Sequence, residues 1–535
     1  MLERLRIQNF KSWQDTGDMA FGALTGFFGT NSSGKSSSWG MAAGLLLASG
    51  NAALGQALVI TSAKPQVNAQ AARNSPVIVS FSQSLLPNSV SALKVFSNQR
   101  GGLRTHALPA MVHGQELRFA PTNYSFMPGE TVSYTVTKAT ASRTSPLARG
   151  WVGQFTAAAD GTGTGNYHPQ TDSLVLTSCF SLALADVDGD GDLDVVTAGN
   201  DAPPFNEDRV LRVRLNTGGG HFGDGQELPI AGGIIRPALA DIDGDGDLDV
   251  VGASSKERAV RVYRNDGRGT YLDNKEALSF LDMPQDISQQ PRSVVLGDLD
   301  GDGDLDLLTA NASSTSGGYS VSIRFNNGKG IFSGGRDMVA GGGGFPQLLL
   351  GDIDGDGDLD LLTKQDDHSG NKSDEVLVYV NDGRGNFHPG PTVPTTARAI
   401  TIALADLDGD GDLDLLAEST YALFVRLNTG DGTFSPDASR DLKSTELMNS
   451  VTLGDVDGDG DLDLLVDYDY QGISVRLNDG RGAFSSRHSL VGRKRIGSSS
   501  RIALGDLDGD GDLDFVNSYA PGSYEVLKTY LNQPE

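Results

Sequence analysis

The stretch Asp186-Val187-Asp188-Gly189-Asp190-Gly191-Asp192-Leu193-Asp194 decides how the chain is read. Its form, Asp-x-Asp-Gly-Asp-Gly-Asp-x-Asp, occurs seven times. The first copy carries Asp186, Asp188, Asp190, Asp192 and Asp194, and the second Asp241, Asp243, Asp245, Asp247 and Asp249. The third carries Asp298, Asp300, Asp302, Asp304 and Asp306, and the fourth Asp352, Asp354, Asp356, Asp358 and Asp360. The fifth carries Asp406, Asp408, Asp410, Asp412 and Asp414, and the sixth Asp455, Asp457, Asp459, Asp461 and Asp463. Asp506, Asp508, Asp510, Asp512 and Asp514 complete the seventh. Successive copies start 49 to 57 residues apart. A solvated acidic tail does not recur at such a period with two glycines in register, so the spacing signals a repeat architecture.

Five carboxylates within nine residues repel one another unless a cation sits among them. An all-oxygen donor set without His or Cys selects calcium or magnesium over zinc or copper. Positions 1, 3 and 5 can converge on one ion, and the glycine at position 6 permits the sharp bend. Position 7 offers its backbone carbonyl and position 9 a closing carboxylate. The pattern is the first half of a helix-loop-helix calcium loop, closed early by Asp at position 9. Its flanks, Leu182-Ala183-Leu184-Ala185 and Val195-Val196, are strand-like, so the loop joins two strands. Magnesium demands stricter octahedral geometry, which favours calcium, with up to seven ions per chain.

Composition agrees. The chain has 535 residues, 38% of them apolar, and 69 glycines, well above the usual ~7%. Folded cores and many tight turns follow. Thirty-five of the 69 acidic residues lie in the seven loops, and the formal net charge is -27. Such a charge repels phosphates and anionic lipid, so nucleic acid is excluded as a partner. One cysteine, Cys179, allows no intrachain disulfide.

Each repeat has one grammar. An apolar strand enters the loop, a short strand leaves it, and a third alternates, as in Val321-Ser322-Ile323-Arg324-Phe325. The third strand ends in Asn-x-Gly-x-Gly-x-aromatic, from Asn216, Asn265, Asn326, Asn381, Asn428 and Asn478. Asn-Asp-Gly and Asn-Thr-Gly supply the positive-φ residues of a hairpin turn, and a weaker fourth strand follows. Four strands per repeat, seven times over, predict an all-β, seven-bladed β-propeller across residues 160–535. The last repeat stops before its turn and fourth strand. The missing piece stands ahead of the first loop, where Gly163-Thr164-Gly165-Asn166-Tyr167-His168-Pro169 matches Gly383-Arg384-Gly385-Asn386-Phe387-His388-Pro389 at five of seven positions. Residues 163–178 are therefore expected to be the outer strand of the final blade, closing the ring and removing two exposed edges.

The loop, hairpin and period together resemble the FG-GAP/VCBS repeats of integrin α-chain propellers and of many bacterial surface proteins. That resemblance implies side-chain ligands at positions 1, 3, 5 and 9, a carbonyl ligand at position 7, and a protein or glycan partner at a propeller face. Here all seven loops are complete. Calcium at about 1 mM and a Kd of ~10 μM would stabilise by about 2.7 kcal/mol per site. The millimolar calcium outside cells suits this design, which fails in cytosol, so the chain reads as secreted or cell-surface. The expected role is a non-enzymatic adhesion or ligand-binding scaffold. A polysaccharide-active propeller is the enzymatic alternative, although the seven histidines form no convergent acid-base set in the sequence. Segments 201–206, 282–290 and 366–373, where the repeats diverge, are candidates for recognition.

Residues 58–145 lack Asp-rich loops. Strand patterns at Val77–Phe81, Leu93-Lys94-Val95-Phe96, Leu117-Arg118-Phe119 and Thr131–Val136 suggest a β-sandwich. With Phe81-Ser82-Gln83-Ser84-Leu85 and the Pro128-Gly129-Glu130 turn it is similar to bacterial Ig-like domains of surface-layer and adhesion proteins. Ser/Thr/Arg-rich residues 138–150 read as a linker. Residues 40–57 read as the apolar core and small-residue cleavage region of a signal peptide, too short for a comfortable membrane span.

Residues 1–38 are of another kind. Gly29-Thr30-Asn31-Ser32-Ser33-Gly34-Lys35-Ser36 satisfies the P-loop pattern, in which amides around Gly29 and Gly34 cradle phosphates, Lys35 reaches the outer ones and Ser36 holds Mg²⁺. With Leu5-Arg6-Ile7-Gln8-Asn9-Phe10-Lys11-Ser12 upstream, the segment resembles the start of RecF/SMC-like AAA ATPases. That resemblance implies ATP and Mg²⁺ as cofactors and a cytoplasmic setting for this fragment. No second strand ending in a metal-binding acid follows, so residues 1–38 read as the leading fragment of an ATPase joined to a chain built for export.

Overall fold

A computed structural model gives the fold. It describes residues 57–533 except 177–178, 201–208, 224, 231–236, 255–256, 280–288, 314–317, 343–346, 365–374, 396, 398, 470, 486–488, 492–500 and 520–524. Of residues 1–56 it describes only the strands Arg4–Leu5 and Met19–Ala20, which pair antiparallel. The chain divides into two compact units, residues 1–39 and 40–535. Gly29, Gly34, Lys35 and Ser36 lie outside the described residues, as do the signal-like stretch up to residue 56 and most of the divergent segments.

Residues 58–157 form two four-stranded sheets around one core. One sheet runs Ile60–Lys64, Val77–Phe81, Glu116–Phe119, Met111–His113; the other runs Gln70–Ala71, Trp151–Ala157, Thr131–Val136, Leu93–Ser97. The period-two pattern of Val77, Val79 and Phe81 puts these side chains inside with Leu117, Phe119, Val132, Tyr134 and Phe155. The sandwich continues past residue 145, because Trp151–Ala157 pairs with Thr131–Val136 along its whole length. Polar residues 138–150 are a surface turn between two partners of one sheet. Leu147 anchors it, buried and donating its N–H to the Thr140 carbonyl at 2.8 Å.

The repeats form seven antiparallel sheets, here I to VII in chain order, each carrying one aspartate loop, also I to VII. Sheet I is Ser181–Ala185, Asp194–Asn200, Arg209–Arg214 and Glu227–Ile230. Each loop joins the first strand to the second, so it sits where an apolar strand turns back on itself. Sheet VII is assembled from both ends of the array. Arg501–Gly505, Asp514–Tyr519 and Glu525–Asn532 receive Tyr167–Leu176 as their fourth strand, with Tyr167 opposite Asn532.

Neighbouring sheets share apolar cores. Val196, Leu211 and Val213 of sheet I pack with Val250, Tyr263 and Tyr271 of sheet II. Leu507, Val516 and Leu527 of sheet VII pack with Leu184, Leu193 and Val195 of sheet I. The only helices among the described residues are Pro87–Ala92, of 3-10 type, and Arg104–Ala107. None is long and apolar enough to cross a membrane. An all-β chain of this kind fits a β-propeller.

A buried hydrogen bond marks each junction. The Asn216 side chain donates Nδ2 to the Leu193 carbonyl of its own loop at 3.2 Å and to the Leu507 carbonyl of loop VII at 3.0 Å. Asn265 reaches Val187 of loop I at 2.7 Å, and Asn532 reaches Val456 of loop VI at 2.7 Å. Leaving such buried acceptors unpaired costs about 1–3 kcal/mol. Asn216→Ala is therefore expected to destabilise by that amount, as much as Asn265→Ala, which severs an interior junction. Denaturant unfolding of both variants checks this. A silent Asn216→Ala beside a costly Asn265→Ala would mean that sheets VII and I are not joined.

Candidate metal loops

Within each loop the chain folds around its own carboxylates. In loop I the glycines at positions 4 and 6 take left-handed φ values of 79° and 106°, which other residues adopt with strain. The position-4 N–H of Gly189 donates to Asp186 Oδ1 at 2.7 Å. In loops II to VII the position-6 amide takes the other oxygen of position 1, as Gly246 does with Asp241 Oδ2 at 2.9 Å. At position 5, one oxygen accepts the N–H of position 7 in all seven loops, as between Asp190 and Asp192 at 2.9 Å.

These turns bring carboxylate oxygens within 4.8 Å of one another. Asp186, Asp188 and Asp194 converge in loop I, and Asp406, Asp408 and Asp414 in loop V. In loops II, III and IV the groups are Asp241, Asp243 and Asp245; Asp298, Asp300 and Asp302; and Asp352, Asp354 and Asp356. Two more such groups occur among the described residues. These aspartate clusters could hold metal ions, and their oxygen-only donors fit a hard cation.

Positions 7 and 9 do more than the sequence suggests. The position-7 side chains lie against the Asn-x-Gly turn of the same sheet. A methyl group at Gly267 would stand 2.7 Å from an oxygen of Asp247, and one at Gly430 2.5 Å from Asp412. That close approach, with φ of 72° and 76°, is why the turn needs glycine. The position-9 aspartates are buried, and both oxygens accept backbone N–H groups. In loop I, Asp194 Oδ2 accepts from Val187 at 2.9 Å and Oδ1 from Asn216 at 2.7 Å. The same pair recurs at Asp249, Asp306, Asp360, Asp414, Asp463 and Asp514.

The asparagines are the residues that sequence reasoning misassigned. They read as positive-φ turn formers, yet among the described residues only Asn68 and Arg258 have positive φ outside glycine. Their work is the Nδ2 hydrogen bond to the preceding loop, joined in five of the seven by a second to their own loop, and the backbone N–H that donates to position 9. The signal was present: an Asn recurs at one register in every repeat, Asn532 included.

Burial raises the carboxyl pKa values despite the amide bonds. Asp194, Asp249 and Asp463 are pushed up to about 7, and Asp306, Asp360, Asp414 and Asp514 to about 8. At position 1, Asp186, Asp406, Asp455 and Asp506 rise to about 6, again by burial first. A carboxyl raised in the fold binds its proton more tightly folded than unfolded, where Asp titrates near ~3.9. The contribution is full below that value and is lost as pH rises through about 6 to 8. Metal-stripped protein should therefore melt at a higher temperature near ~pH 5.5 than near ~pH 8, and metal-loaded protein should show a smaller difference. Paired thermal melts check this, and a metal-stripped chain that is more stable at the higher pH would contradict it.

Comparison with known proteins supports the repeat assignment. The family model described as an FG-GAP-like repeat matches residues 186–252, 241–309, 366–417 and 418–466. No curated protein matches the chain. Among solved structures, an Agrocybe aegerita lectin, described for its specific recognition of non-reducing terminal N-acetylglucosamine, is 20% identical. That alignment covers 76% of this chain and 93% of the lectin, with a TM-score of 0.41. A Lactobacillus plantarum protein is 14% identical over 63% of this chain and 96% of its own, with a TM-score of 0.43. The chain thus carries FG-GAP-like repeats, and its sheets fit an FG-GAP β-propeller.

Proposed function

We propose that residues 160–535 are a closed, seven-bladed propeller braced by up to seven calcium ions. In this reading it works outside the cell, secreted or at the surface, as a non-enzymatic scaffold that presents a face to a protein or glycan ligand. The observation that carries the reading is the convergence of three carboxylates in the aspartate loops, with a buried aspartate in each group given above. Bare, these groups are held away from their charged form by burial. A divalent cation removes that conflict, and calcium tolerates the irregular oxygen shell that a loop of side chains and carbonyls provides.

The same chemistry argues against acid-base catalysis by these aspartates. Their oxygens accept amide hydrogens and would coordinate metal, so they are not free to shuttle protons. The sandwich at 58–157 fits the role of an Ig-like module placed ahead of the propeller. We assign ligand recognition to the strand ends remote from the aspartate loops, since sandwich residues contact the loops themselves.

Thermal melts of the full chain test the reading. Calcium at about 1 mM should raise the midpoint above that in chelator, with ~2.7 kcal/mol gained at every site of ~10 μM affinity, and magnesium at the same concentration should do less. Equal midpoints in calcium and chelator would overturn it. Glycan and protein arrays probed with and without calcium then identify the ligand class, with binding expected only in calcium.

A further inference from the structure

We propose that the sandwich is part of the metal sites: its docking and the loading of loops I to IV reinforce one another. This rests on the calcium reading above and adds a coupling that the repeats alone do not contain.

The contacts fall on one kind of atom. In loop I, Arg100 Nε lies 2.9 Å from Asp186 Oδ2. In loop II the Leu103 N–H donates to Asp241 Oδ2 at 2.8 Å. In loop III the Thr135 hydroxyl donates to Asp298 Oδ2 at 2.7 Å. One ion pair and two hydrogen bonds from the sandwich thus address the Oδ2 atom of position 1. In loops II and III the position-6 glycine amide donates to that same oxygen, while the position-4 glycine amide donates to Oδ1. Outer partners of this sort orient a metal-ligating carboxylate and tune its affinity. Arg100 does not displace the cation, because five carboxylates still exceed the charge of one divalent ion and one guanidinium. The guanidinium is itself positioned, stacked 4.2 Å from the Tyr124 ring centroid with Arg104 on the same ring at 4.1 Å.

Loop IV is held differently. Arg149 pairs with Asp358 at 2.6 Å, the Val152 N–H donates to the Gly357 carbonyl at 2.7 Å, and Trp151 covers Gly357 so closely that a methyl group there would sit 1.8 Å from the indole. Beside it the backbones touch. A methyl on Gly150 would lie 2.3 Å from the carbonyl oxygen of Gly301 in loop III. The sandwich can therefore seat only when these loops hold one shape, and a bound ion selects that shape. By linkage, seating must then raise affinity for the ion by the same factor.

The experiment uses the full chain in four forms: wild type, Thr135→Val, Gly150→Ala and Trp151→Phe. None of the changed residues is a metal ligand. Calcium is titrated calorimetrically, and terbium, an oxygen-seeking stand-in, is titrated under tryptophan-selective excitation. Trp151 is one of three tryptophans, and Trp151→Phe isolates its share of the sensitised emission. The proposal expects emission in the wild type that Trp151→Phe removes and Gly150→Ala cuts several-fold. It also expects calcium affinity about tenfold weaker at the affected sites in both interface variants. Calcium heat in the wild type that both variants match, with unchanged emission, overturns the coupling alone. No calcium heat in the wild type overturns the metal reading beneath it. Thr135→Val keeps the side-chain shape, so the test stands even where Gly150→Ala fails to fold.

Discussion

A carboxylate removed from water must be neutralised, hydrogen-bonded or paired with a cation, and this constraint governs the whole repeat array. Each repeat buries the aspartate at position 9 and largely buries that at position 1. Amide donors from the loop and from the repeat's asparagine hold them in place, and position 1 converges with positions 3 and 9 in loops I and V and with positions 3 and 5 in loops II to IV. Folding thus gathers carboxylates in each aspartate loop, and these clusters could hold a divalent ion.

The loops are also the joints between sheets. Position 9 binds the amide of the repeat's asparagine, whose side chain binds the position-2 carbonyl of the preceding loop. The position-2 N–H in turn binds its own position 9. The chain of bonds passes from loop to loop and, through Asn216 and Leu507, from the last loop to the first. A disturbance of one metal loop is therefore carried into the neighbouring sheet through a buried bond, and the shared apolar cores resist it on the same boundary. The second glycine of each turn follows from the same geometry. Gly269 packs beside Val187 and Asp188 of the preceding loop with a φ of 70°, a left-handed value that other residues adopt with strain.

Much of this was legible in the residues. The nine-residue motif, its period and the alternating third strand predicted strand-loop-strand units. The match of residues 163–169 to 383–389 makes residues 163–178 the outer strand of the final repeat, and Tyr167–Leu176 pairs with Glu525–Asn532 there. Period-two burial also located four strands of the sandwich. What local pattern could not reveal was contact between distant segments. Composition made residues 138–150 a linker, whereas Arg149 and Gly150 touch loops IV and III, some 150–210 residues away in sequence. The asparagines read as turn formers because the turn is local and their acceptor is in another repeat. Position 9 read as a simple ligand because the two amides that hold it are likewise set by the fold. The P-loop residues Gly29, Gly34, Lys35 and Ser36, the signal-like stretch up to residue 56 and most of the divergent segments lie outside the described residues, and their readings rest on sequence.

The central claim is that the aspartate loops are cation cages. Native mass spectrometry of the full chain, exchanged into calcium and then freed of weakly held ions, counts the occupied cages directly. The account predicts a folded species with seven calcium ions, falling by one when a single loop loses its position-1 and position-3 carboxylates. A folded chain of native compactness that carries no divalent ion, and takes up none on addition of calcium, would contradict it.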